Sequence, residues 1–414
     1  MSARVQPKPT PDLVLLLTVV VLLVIGIEMV YSASFVVAQT EFKDSTYFLT
    51  KQVLWAIIGL FAMAFLAAID YHRLERVSAL IMVLVVLAML VVMIPGAGVG
   101  NYGAQRWLRM PPPLPPIQPS EFAKLAVIIF MSHWLAKKGG DVGKFAKGLL
   151  PFGFTMSVVT GLIMVQPDMG TAAIVVTTAA CIFFVAGANV AHFGLIAVGV
   201  VGGFAYLAVA SDYRNDRLQA FINPWADPKD TGWHTIQTLI ALGSGGVAGL
   251  GLGASRQKFY WVPNAHTDAI FAIIGEELGF VGVVLVFALF GVLAWRGFRI
   301  AFRAPDQFGR LLATGVTCLI VVQALVNVAA ITNTIPYTGI TLPFISFGGS
   351  SLLVCLASVG VLLSVSRHER AISKRQDQRG AVVRVFQRRP SRPRLAASEA
   401  SLGSQHRNRS RRGV

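Results

Sequence analysis

Asp268 is the residue whose position most strongly suggests chemistry. It ends a long polar segment, residues 211–268, and directly precedes an apolar run at 269–295. A carboxylate at the edge of an apolar environment is costly unless it is hydrated or paired, and partial desolvation raises its pKa towards the range that a general base needs near neutral pH. The alternative is structural, because Thr267 or Asp268 would also suit the N-cap of a following helix. His266 is the histidine closest to this carboxylate in sequence.

Glu121 and Lys124 form a second candidate pair. They are three residues apart, so they share one face of a helix predicted at 121–136, and Ser120 after Pro119 is a candidate cap for that helix. An ionisable pair inside an apolar helix faces either a wet cavity or another helix. The pattern leaves two interpretations open, a substrate-lining pair and a structural ion pair.

Several cations could hold an anionic group. Arg214, Arg217, Arg256 and Lys258 lie in the polar segment 211–268, and Arg106 stands next to Trp107. Arginine binds phosphate well through paired hydrogen bonds. For any one of these residues, ordinary anchoring at a membrane surface is the competing explanation.

Composition indicates what must position these residues. Hydrophobic residues make up 55% of the 414 residues and charged residues only 14%, which is typical of a chain embedded in a bilayer. A spanning helix needs roughly 20 apolar residues, and long apolar runs in lipid form helices because every backbone amide must be satisfied internally. The sequence therefore predicts an all-α integral membrane protein with about ten transmembrane helices. The runs lie at 13–34, 51–69, 78–97, 121–136, 149–166, 170–187, 193–210, 269–295, 311–331 and 350–366.

The connections between these runs predict an orientation. Most Lys and Arg residues fall on alternate connections and in the basic tail 367–414, so the positive-inside rule puts the N-terminal segment 1–12 and the tail in the cytoplasm. The Gly- and Pro-rich segments 98–120 and 332–349, and the large loop 211–268 between helices 7 and 8, then emerge together outside. Any chemistry is expected on that face. The tail is poor in apolar residues and is expected to be disordered.

Other functional classes are excluded or disfavoured. The net charge of +16 is concentrated in the tail, where it suits anionic lipid better than nucleic acid. The three cysteines all lie in apolar runs without metal-ligand spacing. No metal spacing is found among His133, His192, His234, His368 and His406 either. The Gly-rich stretch 243–253 lacks the strand–helix context of a dinucleotide-binding loop.

Six separated segments resemble the SEDS family (shape, elongation, division and sporulation) over roughly residues 13–370. The matching segments are Met29–Ser34, Gln118–Lys124, Gln166–Thr171, Arg217–Pro224, Ala265–Asp268 and Leu342–Ser351. Within that family the chain is most similar to the cell-division branch, FtsW, with RodA-type elongation and sporulation members as close relatives. His234, Asn264 and Ala269 depart from the residues common in the family.

The resemblance implies a peptidoglycan glycosyltransferase of the bacterial plasma membrane that polymerises lipid II, with its active site outside. It implies Asp268 as the catalytic carboxylate and Glu121 and Lys124 as residues lining the same cavity. Arg106, Arg214, Arg217, His266 and Ser350 are further candidates for lining the substrate site. The resemblance also implies a class B penicillin-binding protein, a transpeptidase, as partner beside other division proteins. No cofactor is required by these residues, although a divalent cation, Mg²⁺ or Mn²⁺, is a candidate for neutralising the pyrophosphate.

Two other functions stay open at this point. A lipid II transporter would also use buried charges, although the sequence shows no inverted repeat, which such carriers usually have. A scaffold would act through the basic tail.

Overall fold

The computed structural model describes residues 11–101, 104–111, 115–209 and 212–387. Within these ranges only the backbone is described at 101, 104, 200–201, 204–209, 212–214 and 369–387. The chain divides into two compact units, Met1–Ile372 and Ser373–Val414. Everything that follows about packing concerns the first unit.

The chain folds almost entirely into helices, as expected for apolar segments that must satisfy their own backbone hydrogen bonds. The helices are α1 Leu13–Phe42, α2 Tyr47–Ala68, α3 His72–Val92, α4 Pro119–Lys138, α5 Leu150–Val165, α6 Met169–Val185, α7 Val190–Val209, α8 Asp212–Ile222, α9 Trp233–Ser244, α10 Ile270–Arg303, α11 Gln307–Ile331 and α12 Gly349–Gln387. Short 3-10 turns lie at Gly139–Gly143 and Pro224–Ala226, and a π turn at Phe145–Leu149.

A helix stands at each of the predicted apolar runs, which confirms a mostly helical integral membrane protein. In the described part of the chain, seven helical segments are long and apolar enough to cross a bilayer. They are Leu13–Phe42, Tyr47–Ala68, His72–Val92, Phe145–Val165, Ile270–Arg303, Gln307–Ile331 and Gly349–His368. The predicted edges were least accurate where helices continue beyond the apolar run. α1 extends to Phe42 rather than ending at 34, α10 extends to Arg303 rather than 295, and α12 extends to Gln387 rather than 366.

The bundle is built around α11 and α12. In the most apolar stretches of α11 and α12, 72% and 89% of the residues are buried. In the corresponding stretch of α3 only 22% are buried, so α3 lies at the periphery. α11 packs against α4, α6 and α10, and α10 packs in turn against α1 and α9. Residues from α4, α10 and α11 can therefore meet in the interior.

The segments outside the bundle have more structure than their composition suggests. The Gly- and Pro-rich segment 98–120 contains an antiparallel hairpin of β1 Gly98–Asn101 and β2 Ala104–Leu108, with an irregularity between Val99 and Gly100. The large loop 211–268 contains α8 and α9. The backbone of the tail is helical through Gln387, and residues 388–414 lie outside the described range.

α10 is interrupted, and the large loop fills the interruption. Gly279 has φ 66° and ψ −164°, which no continuous helix allows. The loop replaces the lost helical bonds: Leu250 and Gly251 N–H donate to the carbonyls of Glu276 and Glu277, at 2.9 and 3.0 Å. Phe280 and Val281 N–H donate to the carbonyls of Gly246 and Val247, at 2.9 and 3.2 Å. Buried backbone groups must be paired, so the loop becomes part of the helix that follows Asp268.

Two glycines make this close approach possible. A Cβ atom on Gly279 would lie 2.3 Å from the amide nitrogen of Gly249, and one on Gly249 would lie 2.1 Å from the carbonyl oxygen of Glu277. Both residues also have positive φ, which glycine adopts without steric cost. The Gly-rich stretch 243–253 therefore serves backbone packing.

Candidate active site

Asp268 lies at the junction between the large loop and α10. The helix begins at Ile270, its N-cap residue is Ala269, and no side chain forms a capping hydrogen bond there. The capping interpretation of Thr267 and Asp268 was therefore wrong. The side chain of Asp268 is turned into the interior, where the residue keeps only 7% of its surface exposed.

Three residues hold Asp268 in place. Thr267 Oγ1 donates to Asp268 Oδ1 at 2.8 Å, and the Tyr337 hydroxyl donates to Oδ2. Asn327 Nδ2, from α11, donates to the main-chain oxygens of Asp268 at 2.7 Å and of Ile340 at 2.6 Å. The bonds from Thr267 and Tyr337 orient the carboxylate, and the bond from Asn327 fixes the backbone that carries it. This arrangement between α10, α11 and the segment 332–349 is suited to a preorganised base.

Burial raises the pKa of Asp268 to about 6, because an ionised carboxylate loses hydration in this position. The hydrogen bond from Thr267 and the charge of Arg217 oppose the effect without cancelling it. The group is therefore mostly ionised at neutral pH, yet its proton affinity is close to what a general base requires.

Tyr337 connects this carboxylate to Arg217, whose charge lowers the pKa of Asp268. Arg217 Nη1, on α8, donates to the main-chain oxygen of Tyr337 at 3.2 Å, and the guanidinium carbon lies 5.5 Å from the centre of the Tyr337 ring. The ring of His234, on α9, lies 4.1 Å from the Tyr337 ring. Burial, and secondarily Arg217, lowers the pKa of His234 to about 4, so this histidine is neutral. The side chain of Arg214 falls outside what the structure describes.

Sequence reasoning missed Tyr337, His234 and Asn327 as members of the site. Tyr337 lies in the segment 332–349, whose prolines and glycines predicted only irregular backbone and a position on the same face as Asp268. Asn327 is an isolated amide within an apolar helix, and such a residue gives no sign of which backbone groups it will bind.

Glu121 and Lys124 form a buried ion pair inside the bundle. Lys124 Nζ lies 2.6 Å from Glu121 Oε2, and the two side chains are 1% and 8% exposed. Lys124 Nζ also donates to Gln323 Oε1 on α11 at 2.8 Å. Gln323 and Asn327 are one helical turn apart, so the same face of α11 contacts the ion pair and the Asp268 backbone.

The remaining candidates around α4 anchor loops. Ser350 Oγ accepts from the Gln118 amide at 3.0 Å, and Arg106 donates to the carbonyls of Gln166 and Pro167 at 2.9 and 2.6 Å. Arg106 thereby ties β2 to the turn before α6. The expected cap Ser120 was wrong, because Gln118 is the N-cap residue of α4 and forms no side-chain cap.

His266 and Lys258 occupy structural positions. The His266 ring lies 4.3 Å from the Phe48 ring and 5.8 Å from the Phe347 ring, and burial lowers the pKa of His266 to about 4. Lys258 Nζ pairs with Glu277 Oε1 at 3.0 Å, and both side chains are fully buried. The interpretation of Lys258 as a headgroup ligand was therefore wrong.

A divalent cation held by protein side chains alone needs several ligand atoms close together. Among the described residues, Asp268 belongs to no group of three His, Cys, Asp or Glu side chains close enough to share one ion. The described groups that meet at this position are the carboxylate of Asp268, the phenol of Tyr337 and, beside Tyr337, the guanidinium of Arg217.

Comparison with known proteins identifies the family. A family model described as "Cell cycle protein", which covers FtsW, RodA and SpoVE proteins, matches residues 13–371. The chain belongs to this family. The match confirms the resemblance to SEDS proteins that the six sequence segments indicated.

Members of the FtsW/RodA/SpoVE family are similar to the chain over most of its length. Stage V sporulation protein E of Bacillus subtilis is 45% identical over 364 residues, which cover 88% of this chain and 99% of that protein. A protein named probable peptidoglycan glycosyltransferase FtsW, of Trichlorobacter lovleyi, is 42% identical over 358 residues, 86% of this chain and 93% of that one.

Solved structures of the family share the fold. One, described as showing structural coordination of polymerization and crosslinking by a peptidoglycan synthase complex, has a TM-score of 0.69 and 27% identity, and covers 87% of this chain and 98% of that chain. The rod shape determining protein RodA of Thermus thermophilus has a TM-score of 0.65 and 26% identity, over 87% of this chain and 97% of that chain.

Proposed function

We propose that the chain is a peptidoglycan glycosyltransferase that polymerises lipid II, with Asp268 as its general base. Relatives of 40–42% identity are named probable peptidoglycan glycosyltransferases. The observation that carries the role of Asp268 is its environment: a buried carboxylate at a loop–helix junction, held by Thr267 and Tyr337, with a pKa raised to about 6.

The reaction joins two sugars of lipid-linked substrates. Asp268 accepts the proton of the 4-hydroxyl of the incoming GlcNAc while that oxygen bonds to the anomeric carbon at the end of the growing chain. The bond from that carbon to the undecaprenyl pyrophosphate breaks, and the pyrophosphate leaves with the electron pair. Assistance of this kind by a positioned base is typically worth about 10²–10⁴-fold in rate.

Tyr337 occupies the place that the acceptor hydroxyl would take. Its phenol already donates a hydrogen bond to Asp268 Oδ2. When the sugar hydroxyl replaces the phenol as donor, the carboxylate is aligned with the proton that it must remove. Tyr337 is therefore a positioning residue that keeps the carboxylate oriented before substrate arrives.

Charge on the departing pyrophosphate requires a cation. Arg217 contacts Tyr337, and its charge acts on Asp268. Guanidinium groups bind phosphate oxygens in pairs and stay charged at any physiological pH. Arg214, one turn earlier on α8, is the second candidate. Lys124 is less suited because Glu121 and Gln323 already occupy its ammonium group.

The proposed setting is the bacterial plasma membrane. The apolar runs and the distribution of Lys and Arg support ten spans with both ends in the cytoplasm and the loop 211–268 outside. In that orientation the glycan and Asp268 lie on the same face.

A division role is proposed on the likeness to FtsW proteins. The similarity to a sporulation protein makes sporulation and elongation the alternatives that a cellular test must separate.

The proposed partner is a class B penicillin-binding protein. An apolar groove between α10 and α11, lined in part by Phe271, Phe287 and Leu325, supports docking of a single transmembrane helix. A solved relative belongs to a peptidoglycan synthase complex.

The decisive experiment compares wild type with Asp268→Asn in a lipid II polymerisation assay, with the partner present. We expect the variant to lose at least about 100-fold of the rate, because the uncharged amide cannot accept the proton. Asp230→Asn is the matched control, since Asp230 is an exposed acid in the same loop. Full activity of Asp268→Asn in a folded protein would end the assignment.

The same preparations separate a polymerase from a transporter. Wild-type protein in vesicles that carry lipid II in one leaflet is expected to form glycan polymer from the accessible leaflet. Headgroup translocation without polymer would instead support the transporter.

A further inference from the structure

A second cluster of ionisable side chains lies at the opposite end of the bundle from Asp268. Asp70 and His72 lie at the connection between α2 and α3. His368 is the last residue of Gly349–His368, the part of α12 that is apolar and long enough to cross a bilayer. Asp268 precedes α10 and Asp306 follows it, so α10 crosses the bundle between these two residues. This cluster contacts Asp306, so it is remote from the proposed polymerase site.

The three side chains converge on one point. Asp70 Oδ1 lies 2.7 Å from His72 Nδ1 and 3.4 Å from His368 Nε2. The three ligand atoms all lie within 4.8 Å of one another. Tetrahedral Zn²⁺ with bonds of 2.0–2.2 Å needs ligand atoms roughly 3.3 Å apart, so the Asp70–His72 pair would open by about half an ångström on binding.

The second nitrogen of each histidine ring has an acceptor nearby. His368 Nδ1 lies 3.0 Å from the main-chain oxygen of Ser364, which can only accept, so Nδ1 donates to Ser364 and Nε2 is the ring nitrogen that faces Asp70. His72 Nε2 lies 3.7 Å from Asp306 Oδ1, and Asp306 is itself held by the Tyr71 hydroxyl and by the Gly309 amide at 3.0 Å. Metal-binding histidines usually have a hydrogen-bond acceptor behind the ring, because it fixes the tautomer and orientation. Ser364 provides that acceptor for His368, whereas Asp306 faces His72 Nε2 at a distance too long for a hydrogen bond.

We propose that Asp70, His72 and His368 bind a divalent transition-metal ion of the zinc class. Two imidazoles and one carboxylate are a borderline donor set that favours Zn²⁺ over Mg²⁺ or Ca²⁺. The side chains are 35–45% exposed, which leaves an entry path and a fourth position for water. The ion joins the start of α3 to the middle of α12, where His368 lies, and these residues are far apart in sequence. This inference does not depend on the proposed polymerase activity.

Metal content and spectroscopy test the site directly. Full-length protein without a histidine tag, purified in detergent and stripped of metal, is titrated with Zn²⁺ and with Co²⁺. We expect one Zn²⁺ per chain and visible Co²⁺ absorption typical of low coordination number. His72→Gln and His368→Gln should each weaken binding at least about tenfold.

His133→Gln is the matched control. His133 also faces a carboxylate, Glu75 at 3.2 Å, but is not one of the three ligands, so this variant should bind Zn²⁺ as wild type does. Added Zn²⁺ should raise the unfolding temperature of wild type and His133→Gln but not of the ligand variants. Asp70→Asn provides an additional ligand variant in case a histidine variant does not fold. The proposal is overturned if wild type binds no Zn²⁺ in the micromolar range, or if His133→Gln and His72→Gln lose binding equally.

Discussion

At the residue scale, Asp268 combines a structural cost with a proposed chemical use. Its carboxylate is buried, which raises the pKa to about 6, and Tyr337 and Thr267 supply the hydrogen bonds that make burial tolerable. A base of this kind is effective because its proton affinity matches the pH at which it works. The same burial should be visible in stability measurements.

Asp268→Asn is expected to stabilise the protein at neutral pH. The pKa of Asp268 is raised on folding, so its favourable contribution to stability is present below about pH 4 and is lost as the pH rises through 6. At pH 7.5 the ionised group costs at most about 3 kcal/mol relative to an uncharged isostere. The apparent unfolding temperature of the variant should therefore exceed that of wild type at pH 7.5, and the two should converge near pH 4. A variant that is less stable than wild type at pH 7.5 would contradict the assigned electrostatics.

The pH dependence of polymerisation should report on Asp268 and Tyr337 together. Activity of wild type is expected to rise through about pH 6, because only the ionised carboxylate accepts a proton. Tyr337→Phe removes a donor that favours the ionised form, so the acidic limb should move to higher pH by about one unit.

Tyr260→Phe is the control for that profile, since Tyr260 is an exposed phenol that pairs with Thr40. An unchanged acidic limb in Tyr337→Phe would remove Tyr337 from the site, even if overall activity fell.

At the element scale, the interruption of α10 joins the large loop to the helix that follows Asp268. The loop from Gly245 to Gly251 is hydrogen-bonded into the break at Gly279, and the carboxylates of Glu276 and Glu277 bind the following loop residues. Lys258 balances part of that buried negative charge. The loop and α10 are therefore held together by hydrogen bonds. A substitution at the break should change the geometry at the proposed active site.

Gly279→Ala and Gly291→Ala should have opposite effects although both lie in α10. The first substitution places a Cβ 2.3 Å from the Gly249 amide at a positive φ and should lower both stability, by more than about 1 kcal/mol, and polymerase activity. The second places its Cβ in open space within regular helix and should raise stability by about 0.5–1 kcal/mol. Thermal unfolding of both variants tests the pair. Equal effects would show that the break is not a constraint.

The buried pair of α4 should behave as a unit. Glu121→Gln or Lys124→Met alone leaves one charge buried without its partner, which typically costs about 3–5 kcal/mol. The double variant removes both charges and should be more stable than either single variant. Denaturation of the four proteins of this cycle measures the coupling, and additive losses would argue that the two charges do not depend on each other.

At the scale of the whole molecule, charge distribution predicts orientation. Basic residues concentrate on alternate connections and in the tail, and the positive-inside rule turns that asymmetry into a direction across the bilayer. The proposed chemistry depends on this direction, because the glycan must be built on the face where Asp268 lies.

Cysteine labelling in intact cells tests the orientation. In a background without Cys181, Cys318 and Cys355, Lys229→Cys in the large loop should react with a membrane-impermeant maleimide from outside. Lys144→Cys, on the exposed connection between α4 and α5, should react only after the membrane is permeabilised. The reverse pattern would invert the topology and place Asp268 in the cytoplasm.

The sequence by itself determined the helices and the position of Asp268 at the start of one of them. Each segment that crosses a bilayer must be an apolar stretch of sufficient length, whichever segments it packs against. Such stretches can therefore be recognised from the sequence of each segment alone. The motif resemblance added the family. The same local reading left a cap at Thr267 or Asp268 open and offered Lys258 as a ligand for an anionic group. Both interpretations were wrong, because the partners of these residues come from distant segments.

Only the tertiary structure decided which groups meet. Tyr337 reaches Asp268 from a segment 69 residues away, and Gln323 reaches Lys124 from 199 residues away. The approach of His368 to Asp70 likewise depends on how α12 packs against α2 and α3. Helix positions follow from transfer of each segment into lipid, but contacts between helices depend on the mutual fit of side chains and backbone, which hydropathy does not encode.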